Sequence, residues 1–479
     1  MKFWFITGSQ MMYGEDTLRQ VEADSREIAA GLQLPFPVIY QCTVKSNEEI
    51  VNVIRQANYD PECAGVITFC HTFSPSKMWI NGLNLLQKPW LHFHTQYHAS
   101  IPDDAIDMDY MNLHQSAHGD REHGYIGARM RIPRAVAAGH WQDPAVQQKI
   151  ADWQRAAIGV QFSRDLKIVR FGDNMRQVAV TEGDKVGVQM SLGWQVNTWA
   201  VGDLVKEMDA VTDSEINVLT DEYASLYTMS GADQEAVRYQ ARIEIGIERM
   251  LKRTGAKAFT NTFEDLHGMR QLPGLAVQHL MQKGYGFGAE GDWKTAGLGA
   301  VIKAMYPDGQ AAFMEDYTYD YSHELILGAH MLEVDPSIAA NRPRIAVHPL
   351  GIGGKEPPAR LIFEGRAGDA KAVSLIDAGG RLRLIAQDVE CVKPFQPMPN
   401  LPVARTMWRP QPDFLRGMEC WIIAGGAHHT VLSFDISDTA LADFARIMHL
   451  ELVRITASTT PKSLERDLLL GDVIYRSVY

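Results

Sequence analysis

The sequence predicts an α/β protein: two domains built on parallel sheets, the first doubly wound, followed by a mostly antiparallel, β-barrel-like domain. Three observations predict it. Short apolar runs alternate with helical spacing over the first hundred residues, as repeated βα units do. The same alternation resumes from about residue 166. Beyond about Asp308 the texture changes to strand-like runs joined by Gly-rich turns such as Gly379-Gly380. The expected domains are 1–165, 166–310 and 311–479, and 479 residues suit about three domains of ~150 residues each.

In order, 2–7 reads as a first strand and 16–32 as a helix with Leu18, Val21, Ile28 and Leu32 on one face, ending near Gly31. A strand at 38–44 follows, then a helix over 50–57 opened by a Ser46/Glu49 capping box. The unbroken apolar run 65–70 suits a parallel strand buried on both faces. A helix at 76–86 and a strand at 89–94 complete the alternation, and 109–161 reads as mostly helical. The ligand crevice of such a sheet lies at the carboxyl ends of its strands, here Gly8-Ser9-Gln10 and His71-Thr72-Phe73-Ser74. No G-x-G-x-x-G follows the first strand, so no nucleotide cofactor is expected. The middle region predicts strands at 167–171 and 258–263, and helices at 213–227, 234–253, 275–283 and 296–305. Strand-like runs then fall at 312–319, 345–349, 360–364, 372–377 and 382–389, with one late helix, 439–449, standing apart.

Composition excludes several classes. Apolar residues are 46% and charged residues 22%, which rules out disorder. Lys and Arg number 46 against 58 Asp and Glu, a net charge of -12, which argues against a nucleic-acid binder or adhesion to anionic membranes. No stretch reaches the ~20 apolar residues of a membrane helix. The apolar start, followed at once by Gly8-Ser9-Gln10, reads as a strand and not a signal peptide. Five scattered cysteines without C-x-x-C read as reduced core thiols of a cytoplasmic protein.

Histidines and acids carry the chemistry. His92 and His94 share one strand face, but no Cys or carboxylate stands at ligand spacing, so hydrogen-bonded core histidines are expected over a zinc pair. His114 and His118, if helical, lie one turn apart on one face, in surface or supporting roles. Gly286-Phe287-Gly288-Ala289-Glu290-Gly291-Asp292-Trp293 sets acids between glycines that allow a ligand close to the backbone. Phe313-Met314-Glu315-Asp316-Tyr317-Thr318-Tyr319 places an acidic pair in an aromatic run, costly to bury without a cation. His330 follows in Gly328-Ala329-His330-Met331-Leu332-Glu333, and Ala424-Gly425-Gly426-Ala427-His428-His429-Thr430 ends an apolar strand. Two Glu and two His make a mixed O/N set that suits Mn²⁺, Mg²⁺ or Co²⁺ better than structural zinc. Spacing alone does not bring these segments together.

At these residues the sequence resembles the L-arabinose isomerase family, over nearly its whole length. The blocks include Trp4-Phe5 with Gly8-Ser9-Gln10, His71-Thr72-Phe73-Ser74-Pro75, Lys77-Met78-Trp79-Ile80-Asn81-Gly82, Phe171-Gly172-Asp173-Asn174-Met175-Arg176, Thr262-Phe263-Glu264-Asp265-Leu266-His267-Gly268, Phe313 through Tyr319 and the His428-His429 run. The resemblance implies metal ligands Glu290, Glu315, His330 and His429, with His428 structural or supporting. Glu290 and Glu315 would also be the acid/base pair. It implies sugar contacts at Gln10, Met12, Met175, Thr260 and Phe263, and at His118 reaching in from a neighbouring subunit of a homohexamer or homotetramer. It implies Mn²⁺, or Co²⁺ or Mg²⁺, as cofactor. The expected reaction is L-arabinose to L-ribulose, with D-galactose to D-tagatose beside it, through a cis-enediol. A metal-promoted hydride shift is the rival route, and which glutamate takes the carbon-bound proton stays open.

Two departures stand out. Met11-Met12 replaces the family's His-Leu, which opens the choice between pentose and hexose, and the chain is shorter near Met229-Ser230-Gly231. Two other classes stand beside this reading: a metal-free sugar-binding protein, and a metal-dependent hydrolase using the same ligands.

Overall fold

The computed structural model of the protein describes residues 1–229 and 231–478. The expected loop change at Met229-Ser230-Gly231 centres on Ser230, outside the described residues. Chain contacts divide the protein into two compact units: Met1–Gln161 with Ser437–Met448, and the rest of the chain.

The first unit is a five-stranded parallel sheet of β1 (Lys2–Gly8), β2 (Val38–Val44), β3 (Cys63–Cys70), β4 (Trp90–His94) and β5 (Ala135–Ala138), in the order β2-β1-β3-β4-β5. Alternate residues of β1 feed opposite faces: Phe3 and Phe5 pack with Phe69, Phe93 and Trp153, whereas Trp4 and Ile6 pack with Val66, Trp79 and Trp90. Both faces are therefore covered, which is why β3 is buried throughout. The strand order reverses between β1 and β3, where Gly8 and Cys70 are in register. This is the switch point at which the sequence placed its crevice. Ser9 and Thr72 hydroxyls meet at 2.8 Å, and Gln10 Nε2 donates to Phe73 O at 2.9 Å.

Four details of this unit differ from expectation. The helix Asn47–Tyr59 starts on Ser46, whose side chain accepts from Glu49 N, but the Glu49 carboxylate takes the Lys45 N–H at 2.7 Å, so only half of a capping box forms. The Ala-Val-Ala-Ala run of β5 lay within the stretch read as helical; its half-exposed alternation carries too little apolar signal to stand out. His114 sits at the break between helices Met108–Leu113 and Ser116–Met130, so it does not share a helix face with His118. The late helix, Asp438–Ile447, belongs to this unit.

The second unit begins with a four-stranded parallel sheet of β6 (Lys167–Phe171), β7 (Gln195–Trp199), β8 (Ala258–Asn261) and β9 (Gly286–Gly288), ordered β7-β6-β8-β9. β7 is amphipathic and largely exposed, and β9 is three residues of two glycines and a phenylalanine, so neither carries a strand pattern. Then come β10 (Ala311–Asp320), β11 (Leu325–Ala329), β12 (Arg344–Val347), β13 (Ala359–Ile362), β14 (Gly368–Asp377), β15 (Leu382–Val392), β16 (Arg405–Pro410), β17 (His429–Ser433) and β18 (Glu451–Ile455). Six of these close into an antiparallel barrel, β14-β17-β10-β11-β16-β15 and back to β14, with β18 added in parallel to β15. The fold class is the one the sequence predicts.

The runs at 345–349 and 360–364 are not barrel staves; as β12 and β13 they form a separate two-stranded sheet. The apolar run before Gly425 is not a strand but the end of helix Phe414–Ala424, and His429 opens β17 instead of ending a strand. A further helix, Pro461–Val478, follows β18, so 439–449 is not the one late helix. All five cysteines are free, and four of them are buried. Among the described residues no helix is long and apolar enough to cross a membrane.

Candidate active site

Two tight constructions position the acids. After β9 the chain turns through Ala289-Glu290-Gly291 into Asp292, which caps helix Trp293–Met305 by accepting from Lys294 N and Thr295 N. Glu290 has φ +59°, in the left-handed region a glutamate rarely visits. The turn is held from three sides. Met175 N donates to Glu290 O at 2.9 Å, Gly291 N to Asn261 O at 3.0 Å, and Asn174 Nδ2 to Gly291 O at 3.0 Å. A Cβ on Gly291 would stand 2.5 Å from Asn174 Cα, and one on Gly288 would stand 2.3 Å from Asp292 O. These glycines admit the protein's own backbone, where the sequence suggested a ligand.

Glu315 comes from the barrel. On β10 it pairs with His429 of β17 on one side and Ala329 of β11 on the other, so His330, the next residue, lies beside it. Closure of the barrel thus gathers three of the four expected ligands, and the β9 turn adds Glu290. His429 Nε2 lies 3.9 Å from Glu290 Oε2, and His330 Nε2 lies 3.8 Å from Glu315 Oε2.

The remaining ring nitrogens decide what the site can do. His429 Nδ1 donates to Asp292 Oδ2 at 3.2 Å, and His330 Nδ1 donates to Glu333 Oε2 at 2.6 Å. With Nδ1 committed as donor, a neutral imidazole presents a lone pair at Nε2. Both lone pairs face glutamate oxygens, an arrangement that a cation between them would satisfy, and the fully buried His429 Nε2 has no hydrogen-bond partner. Carboxylate-oriented imidazoles are how proteins present histidine to a metal. Two carboxylates and two imidazoles fit a divalent ion such as Mn²⁺, Co²⁺ or Mg²⁺.

His428 also reaches the cluster: its Nε2 lies 3.4 Å from Glu290 Oε2, and donor atoms of Glu290, His428 and His429 fall within 4.8 Å of one another. The His428 hydrogen bond holds the Glu290 carboxyl below its usual range against the opposing effect of burial, and Glu290 raises His428 in return. Burial pulls His330 down, but Glu333, Glu315 and Glu290 outweigh it and the ring is raised. Burial prevails at His429, which is lowered. Asp292 is buried yet held far down by Lys294, His429 and Thr295. Burial and the neighbouring Glu315 push Asp316 up to about 7.

A cavity of about 250 Å³ opens onto Glu290, Glu315 and His330, and Met175, Phe263 and Tyr317 also line it. Of the other expected sugar contacts, Thr260 is buried on β8 with its Oγ1 unpartnered, while its neighbour Asn261 lines the cavity. Gln10, Met12 and His118 belong to the first unit. Gln10 binds Phe73 O, His118 stacks on the Phe73 ring with centroids 4.3 Å apart, and Met12 is 76% exposed. His92 and His94 both hydrogen-bond Asp120, at 3.0 and 3.1 Å; His92 is the buried core histidine that was expected, whereas His94 is partly exposed.

Sequence reading assigned nothing to Asp292, Glu333 or Tyr317. The first two had a signal: each histidine proposed as a ligand needs an acceptor for its other nitrogen, and Glu333 stands three residues after His330.

Comparison with known proteins completes the description. Residues 1–165, 167–308 and 310–451 match, in turn, the N-terminal, central and C-terminal domains of L-arabinose isomerase. The chain is 55% identical to a protein of Anoxybacillus flavithermus named L-arabinose isomerase, over 99% of this chain and 97% of that one. It is 53% identical to one of that name from Geobacillus thermodenitrificans and 52% identical to one from Thermotoga petrophila, each over 99% of this chain and 98% of the other.

Proposed function

Because the chain belongs to the L-arabinose isomerase family, we propose that this isomerase converts L-arabinose to L-ribulose, and D-galactose to D-tagatose beside it. The observation that carries this reading is the pair of Nε2 atoms, on His330 and His429, each facing a glutamate oxygen while its Nδ1 is tied to a second carboxylate. Neither a sugar-binding protein nor a sensor calls for that arrangement.

Glu290, Glu315, His330 and His429 would hold one divalent ion, Mn²⁺ by family resemblance, with Co²⁺ or Mg²⁺ as substitutes. When bound it would polarise the sugar's O1 and O2 and stabilise the negative charge of the enediolate. The open-chain sugar occupies the cavity between the two glutamates, Met175 and Phe263. One glutamate takes the proton from C2, leaving a cis-enediol, and then gives a proton to C1 to complete the ketose. The other carries a proton between the two hydroxyl oxygens. The carbons exchange oxidation states, so no nucleotide cofactor enters. The His428 hydrogen bond keeps Glu290 ionised, the form that can accept a proton, while lowering its basicity. The strained backbone at Glu290 is held by Met175, Asn174 and Asn261, so its carboxylate is positioned before substrate arrives.

Gln10, Met12 and Thr260 also contact the sugar, and His118 reaches it from a neighbouring subunit of a homohexamer or homotetramer. Met12, longer and more adaptable than leucine, sets the balance between pentose and hexose. The three domains are 1–165, 166–310 and 311–479, and the protein works in the cytoplasm.

Incubation with Mn²⁺ and either L-arabinose or D-galactose, followed by a ketose assay, tests the reading. Ketose from L-arabinose supports it; sugar binding without product contradicts it. In heavy water the enediol route places solvent deuterium on the reacting carbon, whereas a hydride shift places none.

A further inference from the structure

A second cluster, on the first unit, uses residues to which the proposed isomerisation gives no role. Asp24 lies on helix Gly14–Gly31, His71 directly follows β3, and His114 occupies the break between helices Met108–Leu113 and Ser116–Met130. One donor atom from each lies within 4.8 Å of the other two. Asp24 and His71 are 2% and 1% exposed.

The hydrogen-bond polarity around His71 is informative. Its Nδ1 lies 3.0 Å from Leu113 O, and a carbonyl only accepts, so Nδ1 carries the proton. Its Nε2 then faces Asp24 Oδ2 at 2.9 Å, an acceptor against an acceptor unless something positive lies between them. The other Asp24 oxygen is taken by Gln20 Nε2 at 2.7 Å. A proton on Nε2 satisfies the pair but leaves His114 unused, and the buried His114 Nδ1 has no hydrogen-bond partner. A metal ion uses all three residues. The backbone carbonyl behind His71 is the usual orienting partner of a ligating imidazole. His114 is itself fixed, because Gln115 N donates to His71 O at 3.2 Å, and its partial exposure provides a route in from solvent.

We propose that Asp24, His71 and His114 form a second divalent-cation site, distinct from the glutamate-rich one. Two imidazoles and a single carboxylate select a zinc-class ion, Zn²⁺, Co²⁺ or Ni²⁺, over Mn²⁺ or Mg²⁺. Zinc bonds of about 2.0–2.2 Å separate tetrahedral donors by roughly 3.4 Å, a spacing between the 2.9 Å of His71 Nε2 to Asp24 Oδ2 and the 4.8 Å within which all three donors lie. Three protein ligands leave the fourth position to water.

The test is Zn²⁺ binding by equilibrium dialysis of the full chain, stripped with chelator, in a Glu290→Gln/Glu315→Gln background that weakens the other site. A Zn²⁺ equivalent whose affinity falls at least tenfold on adding His114→Ala, and again with Asp24→Asn in place of His114→Ala, is expected. Absence of a tightly held Zn²⁺, or one indifferent to both substitutions, overturns the proposal and assigns the Asp24–His71 pair to a shared proton. Co²⁺ provides a readout that does not depend on the triple variants. An intense visible spectrum of tetrahedral character in the background protein is expected, whereas the weak spectrum of hydrated Co²⁺ overturns the site.

Discussion

Glu315 and His429 stand directly opposite each other on β10 and β17, in the register that closes the barrel. The pairing sets two candidate ligands side by side before any ion arrives, because the antiparallel ladder fixes their Cα positions to within a strand spacing. The geometry of these two ligands is thus a property of the barrel, and substitutions there should alter chemistry without dissolving the fold.

Glu290→Gln and Glu315→Gln each keep the side-chain shape and remove the base. Loss of a general acid or base costs typically 10²–10⁴-fold in rate. Each variant should lose at least that factor in kcat while keeping the wild-type circular dichroism spectrum. A variant with near-normal kcat would remove that glutamate from the acid/base pair.

The two adjacent histidines should separate in a metal titration. His429 is fully buried, oriented by Asp292, and presents an unpartnered Nε2, whereas His428 is half-buried and spends its Nε2 on Glu290. His429→Ala should weaken Mn²⁺ binding by a larger factor than His428→Ala. Equal losses would count against assigning ligation to His429 alone, and would bring His428 into the ligand set.

The carboxylates behind the imidazoles should matter almost as much as the ligands. Asp292→Asn and Glu333→Gln disturb the acceptors of His429 Nδ1 and His330 Nδ1. Orienting partners of this kind contribute about 10–100-fold in metal affinity. Mn²⁺ affinity measured by calorimetry should fall within that range in each variant, with kcat at saturating Mn²⁺ falling less than in Glu290→Gln.

Much of this was legible beforehand, for identifiable reasons. The parallel strands β1, β3 and β4 are buried on both faces and stand out from their helices, while the half-exposed β2 was legible from its β-branched and aromatic residues. The switch point at the carboxyl ends of β1 and β3 followed from topology, and Ser9 with Thr72 and Gln10 with Phe73 hydrogen-bond each other there. What escaped was short or context-dependent. β9 is Gly-Phe-Gly, strand only because β8 pairs with it. The helix Phe414–Ala424 contains a short, continuous apolar stretch that periodicity cannot tell from a strand. The convergence of Glu290, Glu315, His330 and His429 depends on barrel register and on a left-handed glutamate. Neither leaves a local trace in the sequence, so only family resemblance pointed to all four.

Gly291→Ala tests the turn itself. The position has φ +79° and a Cβ would meet Asn174 Cα at 2.5 Å, so both backbone strain and contact oppose the substitution. Forcing alanine into an incompatible conformation costs more than about 1 kcal/mol. A lower thermal midpoint and weaker Mn²⁺ binding are expected together. An unchanged midpoint would show that the turn relaxes freely.

The central claim is that one divalent ion sits among Glu290, Glu315, His330 and His429. Anomalous diffraction from crystals of the chelator-stripped enzyme soaked in Mn²⁺ measures this directly. The account predicts a single strong manganese peak within bonding distance of those four side chains. No peak there, or a peak that leaves either glutamate or either histidine uncoordinated, would contradict it.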